Sequence, residues 1–282
     1  MWYDIKAIVR YHFLYIVCTL IYLTLGGFLL GGTLNSFLIA TGLYAVSVLI
    51  ALSPIGEGLF RLAYGVHPVE TGEDKEYLRP IFKEIINAVP VNKKPIRIHV
   101  GIIDKMEVNA CAIGKHTVAV TRGAIEVFTE DQLKGVIAHE LGHIWTRDTV
   151  ASIFLLVSNG YYYLFALFVN IFIYLLDKVS TLIGDRTTGQ FLCSVLRFLF
   201  KIVNFFFSFP IKAVVALESR RTEYRADQFA YELGYGEELK SALYLLRKIS
   251  LGDNSDLIKK MMDSHPRLTA RIEQLEVYIE DE

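Results

Sequence analysis

Cysteine is scarce. Cys18, Cys111 and Cys193 are odd in number and widely spaced in 282 residues, so neither a disulfide framework nor a paired CxxC metal knuckle can be built from them. This usage suits a reducing compartment, and two of the three cysteines lie in apolar blocks as packing residues. Net charge is equally slight: 29 Lys and Arg against 30 Asp and Glu leave −1, and no long basic run occurs. That pattern excludes nucleic acid as an expected partner. No internal repeat or low-complexity tract stands out, and no signal-peptide cleavage pattern is evident, because the first apolar block runs directly into a second. Apolar residues are what the chain has in quantity. The hydrophobic fraction is 53% and mean hydropathy +0.37, a modest excess over soluble proteins that is concentrated in a few long blocks.

Residues 13 to 30, FLYIVCTLIYLTLGGFLL, carry no charge and are long enough to cross hydrocarbon. After GGTLNS a second uncharged block runs from Phe37 to Leu52, so the two read as a helical hairpin turning at Gly31 and Gly32. The alternative is a buried hairpin in a soluble core, a rare use of runs this long. Lys6 and Arg10 before the hairpin and Arg61 after it place both its ends in the cytoplasm by the positive-inside tendency. A third block, Val150 to Leu176, is uncharged over 27 residues. The fourth, Gln190 to Leu217, carries Arg197, Lys201, Asn204, Ser208 and Lys212 as a polar stripe, and Pro210 is expected to kink it. This block either spans with its stripe facing a cavity or lies in the interface as an amphipathic helix.

Between the hairpins the composition turns soluble. EYLRPIFKEIINAV places Leu78, Ile81, Phe82, Ile85, Ile86 and Val89 on one helical face. IRIHVGI, EVNACAI and TVAVT read as short strands, the last two joined at Gly114-Lys115 by a two-residue turn with glycine first. The stretch from Glu218 to Glu282 is charged and helical in pattern. The expected domains are therefore 1–60 as a transmembrane hairpin, 61–149 as an α+β half-domain, 150–217 as a second hairpin, and 218–282 as a helical half-domain.

TEDQLKGVIAHELGHIW carries the chemistry. Thr129 and Gln132 form a candidate capping box, and Leu133, Val136, Ile137, Leu141 and Ile144 give the helix an apolar face. His139 and His143, just over one turn apart, stack on one side and can bind a single zinc. Glu140 is offset by about 100°, placed to take a proton from the attacking water and pass it to the leaving amine. A third ligand is needed, a carboxylate or histidine on a second helix. No histidine follows His143 before His265. Glu223, in LESRRTEYRADQFA, is the best candidate; its alternative is a surface ion pair with Arg220 or Arg221. Asp227 lies one turn further on the same face, positioned to accept the second N–H of a ligating histidine.

NACAIG, AVTRGAI, VIAHELGH, SRRTEYRAD and HPRLTARIEQL, in this order and with apolar blocks before and between, resemble the HtpX heat-shock membrane metallopeptidases over nearly the whole chain. That group shares a family with the CAAX prenyl-protein proteases. The resemblance implies zinc held by His139, His143 and Glu223, with Glu140 as base. It implies that VNACAIG is an edge strand to which a substrate backbone adds, with Asn109 contacting substrate or the zinc helix, and with Cys111 in place of the usual aromatic. In SHPRLTARI, His265 or Arg271 either stabilises the oxyanion or serves as a helix cap and structural ion pair.

If His139, His143 and Glu223 share one zinc, residues 149–218 cross the bilayer an even number of times, and Arg220, Arg221 and Arg225 agree with a cytoplasmic face. The expectation is an α-helical integral membrane protein of about four transmembrane helices with a cytoplasmic α+β zincin-type domain. The resemblance implies that its work is quality-control cleavage of membrane or misfolded proteins at the plasma membrane. The alternatives are a prenyl-protein protease, for which four blocks make too small a chamber, and a scaffold with a structural zinc site.

Overall fold

A computed structural model describes residues 13–69, 72–90, 97–183, 186–252 and 268–280. It is mostly helical with one small sheet, and its contacts divide it into two compact units: Leu49–Ile153 with Ser219–Glu282, and Leu14–Val48 with Phe154–Glu218.

The first unit carries the sheet. Its elements are α3 (Pro54–Tyr64), β1 (Val66–Pro68), α4 (Glu73–Ala88), β2 (His99–Ile103), β3 (Ala110–Ile113), β4 (Thr117–Thr121), α5 (Arg122–Val127), α6 (Glu130–Trp145), α9 (Gly236–Gly252) and α10 (Leu268–Glu280). The strand order is β1-β2-β4-β3. β2 and β4 are parallel, His99 opposite Thr117, whereas β3 returns antiparallel to β4 with Ala110 opposite Val120 and Ile113 opposite Thr117. Among the described residues β3 is therefore an edge strand. Its connection to β4 runs over three residues, Gly114 to His116, one more than the sequence suggests. Gly114 takes a left-handed φ of 61°, while the His116 carbonyl accepts the His99 N–H and so prolongs the β2 pairing into the turn.

Glu57, on α3, shapes that turn from outside. It is buried, accepts from the Thr117 hydroxyl at 2.6 Å and lies 3.3 Å from His116 Nδ1. This places α3 with the sheet-bearing unit, earlier in the chain than the composition change at Arg61.

The core follows the helical periodicities. Leu78, Ile81, Phe82 and Ile85 of α4 pack in one cluster with Leu133, Ile137 and Leu141 of α6, Leu239 and Leu243 of α9, and Ile272 and Leu275 of α10. The capping box of α6 forms as expected, with the Thr129 hydroxyl accepting from the Gln132 N–H and the Gln132 amide oxygen from the Thr129 N–H.

The second unit holds most of α1 (Phe13–Leu29), α2 (Leu34–Ala51), α7 (Asp148–Ile183) and α8 (Arg186–Glu232). α1 and α2 turn at Gly31 and Gly32, where the Ser36 hydroxyl donates to the Leu30 carbonyl. Tyr44 Oη donates to the Phe154 carbonyl at 2.9 Å. Among the described residues, two segments are long and apolar enough to cross a membrane, Leu34–Ala51 and Ala166–Ile183, where the sequence suggests about four. α1 has 17 described residues and contains the shorter apolar stretch Thr19–Phe28. In the fourth block Arg197 and Lys201 are exposed, while the side chains of Asn204, Ser208 and Lys212 lie outside the described residues. The helix continues through Pro210, so this block and the Glu223 segment form one helix of 47 residues.

Candidate active site

Close approach of two helices builds the site. A Cβ on Gly142 of α6 would lie 2.8 Å from Ala226 Cα of α8, inside van der Waals contact, so glycine here lets the α8 backbone come against α6. Ala226 lies between Glu223 and Asp227 in sequence, and its small side chain permits the same approach. Both carboxylates are thereby carried to the histidines.

His139 and His143, both buried, bring their Nε2 atoms to 3.2 Å. Glu223 offers one carboxylate oxygen to each, Oε2 at 3.5 Å from His139 Nε2 and Oε1 at 3.6 Å from His143 Nε2. Two donors each about 2.0–2.1 Å from a tetrahedral zinc lie about 3.3–3.4 Å apart, so the spacing fits a metal at their centre. A Glu140 oxygen also falls within 4.8 Å of donor atoms on both histidines. Two carboxylates thus reach the pair, one adjacent to His139 on α6 and one facing it from α8.

The outer nitrogens are held as well. His139 Nδ1 is 2.8 Å from Asp227 Oδ1, the role the i, i+4 spacing suggests for that aspartate. His143 Nδ1 is 2.8 Å from Asp148 Oδ2, a partner the sequence reading does not name. Asp148 opens α7, and the intervening Arg147 adopts a left-handed φ of 64° that turns the chain back toward α6. Arg225 Nη2 donates to the other Asp148 oxygen at 3.2 Å. Each histidine therefore has a carboxylate on Nδ1, which leaves Nε2 turned inward.

Arg271 reaches the same cluster from α10, fully buried. Its Nε and Nη2 fork onto Asp227 at 2.8 and 2.6 Å, and Nη1 meets Glu223 Oε2 at 2.7 Å. His265 lies outside the described residues. Burial and the Arg271 charge push the His139 pKa down, but Asp227 and Glu223 outweigh them and carry it up to about 9. Burial also opposes the charged form of His143, and Asp148 reverses it, leaving the pKa raised. For Asp227, burial is overcome by Arg271 and His139, and its carboxyl titrates below the ordinary range.

Asn109 precedes the edge strand. Its N–H donates to the Thr121 hydroxyl and its side-chain oxygen accepts from the Ala110 N–H, both at 2.9 Å. With His139, Glu140 and Arg271 it lines a cavity of about 30 Å³, whose remaining walls are apolar, from Val108 and Phe128 to Leu243 and Leu268. The Cys111 thiol on β3 is pushed up to about 12 by burial and the nearby Glu140 charge, so it stays neutral.

The chain is similar to several known proteins. The chain is 30% identical over 220 residues to protease HtpX of Psychrobacter sp. strain PRwf-1, covering 69% of this chain and 70% of that protein. It is 32% identical over 196 residues to protease HtpX of Pseudomonas syringae pv. tomato, covering 62% and 64%. A protease HtpX homolog of Bacteroides fragilis is 27% identical over 209 residues, covering 72% and 61%. The chain thus spans less than two thirds of the length of two of these three relatives. The crystal structure of S. mikatae Ste24p aligns with a TM-score of 0.49 at 19% identity, covering 85% of this chain and 58% of that one. The family model for peptidase family M48 matches residues 73–279, which include the histidine helix and the carboxylates that face it, and the chain belongs to that family of metallopeptidases.

Proposed function

We propose that this chain is a membrane-embedded zinc metalloendopeptidase that cleaves membrane or misfolded proteins at a cytoplasm-facing site. The observation that carries the reading is the convergence of His139 Nε2, His143 Nε2 and the Glu223 carboxylate within 3.2–3.6 Å, each histidine backed by its own aspartate.

His139, His143 and Glu223 would hold the ion. Zinc bound there would supply Lewis-acid polarisation of the scissile carbonyl and raise the acidity of the attacking water. Glu140, buried beside His139, takes the proton from that water and returns it to the leaving amine. Asp227 and Asp148 fix both histidine tautomers so that the Nε2 lone pairs point at one centre. Arg271 is a positioning residue, since its N–H groups are engaged by Glu223 and Asp227. The antiparallel ladder turns the backbone groups of Ala110 and Ala112 away from β4, and a substrate strand would pair along that edge beside Glu140. Asn109, bonded to the Ala110 N–H, marks the end of that edge nearest the cavity.

Membrane embedding is supported by the sidedness of the apolar residues. Only 17% of the Leu34–Ala51 segment and 6% of Ala166–Ile183 are buried, where the core helix of a soluble protein would be mostly buried. The remaining blocks, α1 and the first part of α8, complete a four-span arrangement. Residues 149–218 cross an even number of times if α6 and α8 share one metal, and the basic residues flanking the blocks set the cytoplasmic side. The absence of a basic run leaves proteins rather than nucleic acid as substrates.

The test is purified protein in detergent with casein as substrate. Glu140→Gln retains about one zinc per chain and loses cleavage, while Glu223→Ala loses both. Wild-type cleavage in either variant overturns the assignment.

A further inference from the structure

We propose that α3 is a membrane-surface helix whose aliphatic face rests in the interfacial layer of the phospholipid bilayer. The inference rests on reading Leu34–Ala51 as a span. Ile55, Leu59 and Leu62 fall at i, i+4 and i+7, one stripe of the helix, and are 72%, 58% and 77% exposed. Single exposed aliphatics are ordinary, but three aligned on one short helix mark a contact surface. The helix cannot roll to hide them. Glu57, about 180° away around the wheel, is locked into the sheet-bearing unit by the Thr117 hydroxyl and His116.

Chain continuity identifies the occupant. Leu52 and Ser53 alone separate α3 from the candidate span, and Ser53 starts the new helix by accepting from the Gly56 N–H, with Pro54 in the first turn. Leu49 and Ile50, at the end of α2, are also exposed. A helix beginning two residues after a span starts at the level of the headgroups. Because Glu57 joins α3 to the β3–β4 turn, the lipid surface becomes the platform on which the substrate edge strand is mounted.

The full chain tests this, with Cys18, Cys111 and Cys193 replaced by alanine and one cysteine placed at Leu43, Leu59 or Lys83. Each variant is labelled with an environment-sensitive fluorophore and reconstituted into phosphatidylcholine vesicles carrying nitroxide lipids. The expected result is quenching at Leu59 by nitroxides near the lipid carbonyls, at Leu43 by nitroxides near the bilayer centre, and at Lys83 by neither. Quenching at Leu43 with none at Leu59 overturns the surface helix and leaves the span intact. Oxidative Leu59→Cys cross-linking between two chains, without quenching, overturns it in favour of self-contact. No quenching at Leu43 overturns the span and the inference together.

Discussion

Asp148 and Asp227 divide the same task, each holding one histidine by Nδ1. Replacing either with asparagine keeps the shape but allows the amide to present its N–H₂ to the imidazole, which favours the wrong tautomer. Losses of about 10–100-fold in metal affinity are typical for such outer partners. For Asp148→Asn we predict weaker zinc binding of that order, measured by competition against a chromophoric chelator, with the fold intact by circular dichroism. Unchanged affinity would make Asp148 a helix-start residue with no hold on the site. The histidines also give a pH signature. In chelator-treated protein the His139 pKa is raised to about 9 from an ordinary value of about 6.5. A raised folded-state value adds stability that is fully present below about pH 6.5 and disappears as pH climbs through about 9. Zinc binding runs the opposite way, because it requires the neutral imidazole. The gap between zinc-loaded and chelated apparent melting temperatures should therefore widen from pH 6.5 to 9. A constant gap would mean that the carboxylates do not hold a proton on these histidines. The sequence makes the histidine pair legible, because a spacing of four needs only a helix. Asp148 is not legible from it. Its reach to His143 depends on a left-handed arginine, and no composition rule anticipates one at Arg147.

At the scale of elements, the site exists because α6 and α8 touch at Gly142 and Ala226. Adding one methyl group at Gly142 must push the helices apart, and overpacking of this kind costs about 1–3 kcal/mol. Glu223 and Asp227 would move with α8. We predict that Gly142→Ala lowers zinc occupancy far more than its stability loss explains, read by metal analysis on protein that still elutes as a single species. Full occupancy would show that α8 can retreat without carrying Glu223 away. The β3–β4 turn is a second joint. Glu57→Gln weakens the bonds to Thr117 and His116 without altering size, loosening the edge strand while leaving the histidines untouched. KM for casein should rise several-fold with kcat and zinc content little changed. A fall in kcat alone would place Glu57 in some other role. Neither joint follows from periodicity. The helical face of α4 and the capping box of α6 are local and can be read directly, whereas the third residue of the turn reflects a glutamate sixty positions away from Thr117.

Over the whole molecule, the apolar blocks are the easiest feature to read and the hardest to turn into an arrangement. Their composition locates Leu34–Ala51 and the third block, and the boundary expected near residue 217 falls where the contacts pass from one unit to the other, inside a single helix from Arg186 to Glu232. The kink expected at Pro210 does not require the helix to end, because helical hydrogen bonding can resume on either side of a proline. That continuity gives the topology argument its test. The same 47-residue helix holds the fourth apolar block at one end and Glu223 at the other, and the third block starts just after His143. If His139, His143 and Glu223 share a metal, the turn at Lys115 and the surface of α9 at Lys240 must face the same compartment. Single cysteines at these two positions, in a background lacking the native three, should react with a membrane-impermeant maleimide from one side of sealed, oriented vesicles, and equally. Opposite reactivity would mean an odd number of crossings between residues 149 and 218, and no single chain could then assemble the centre described here.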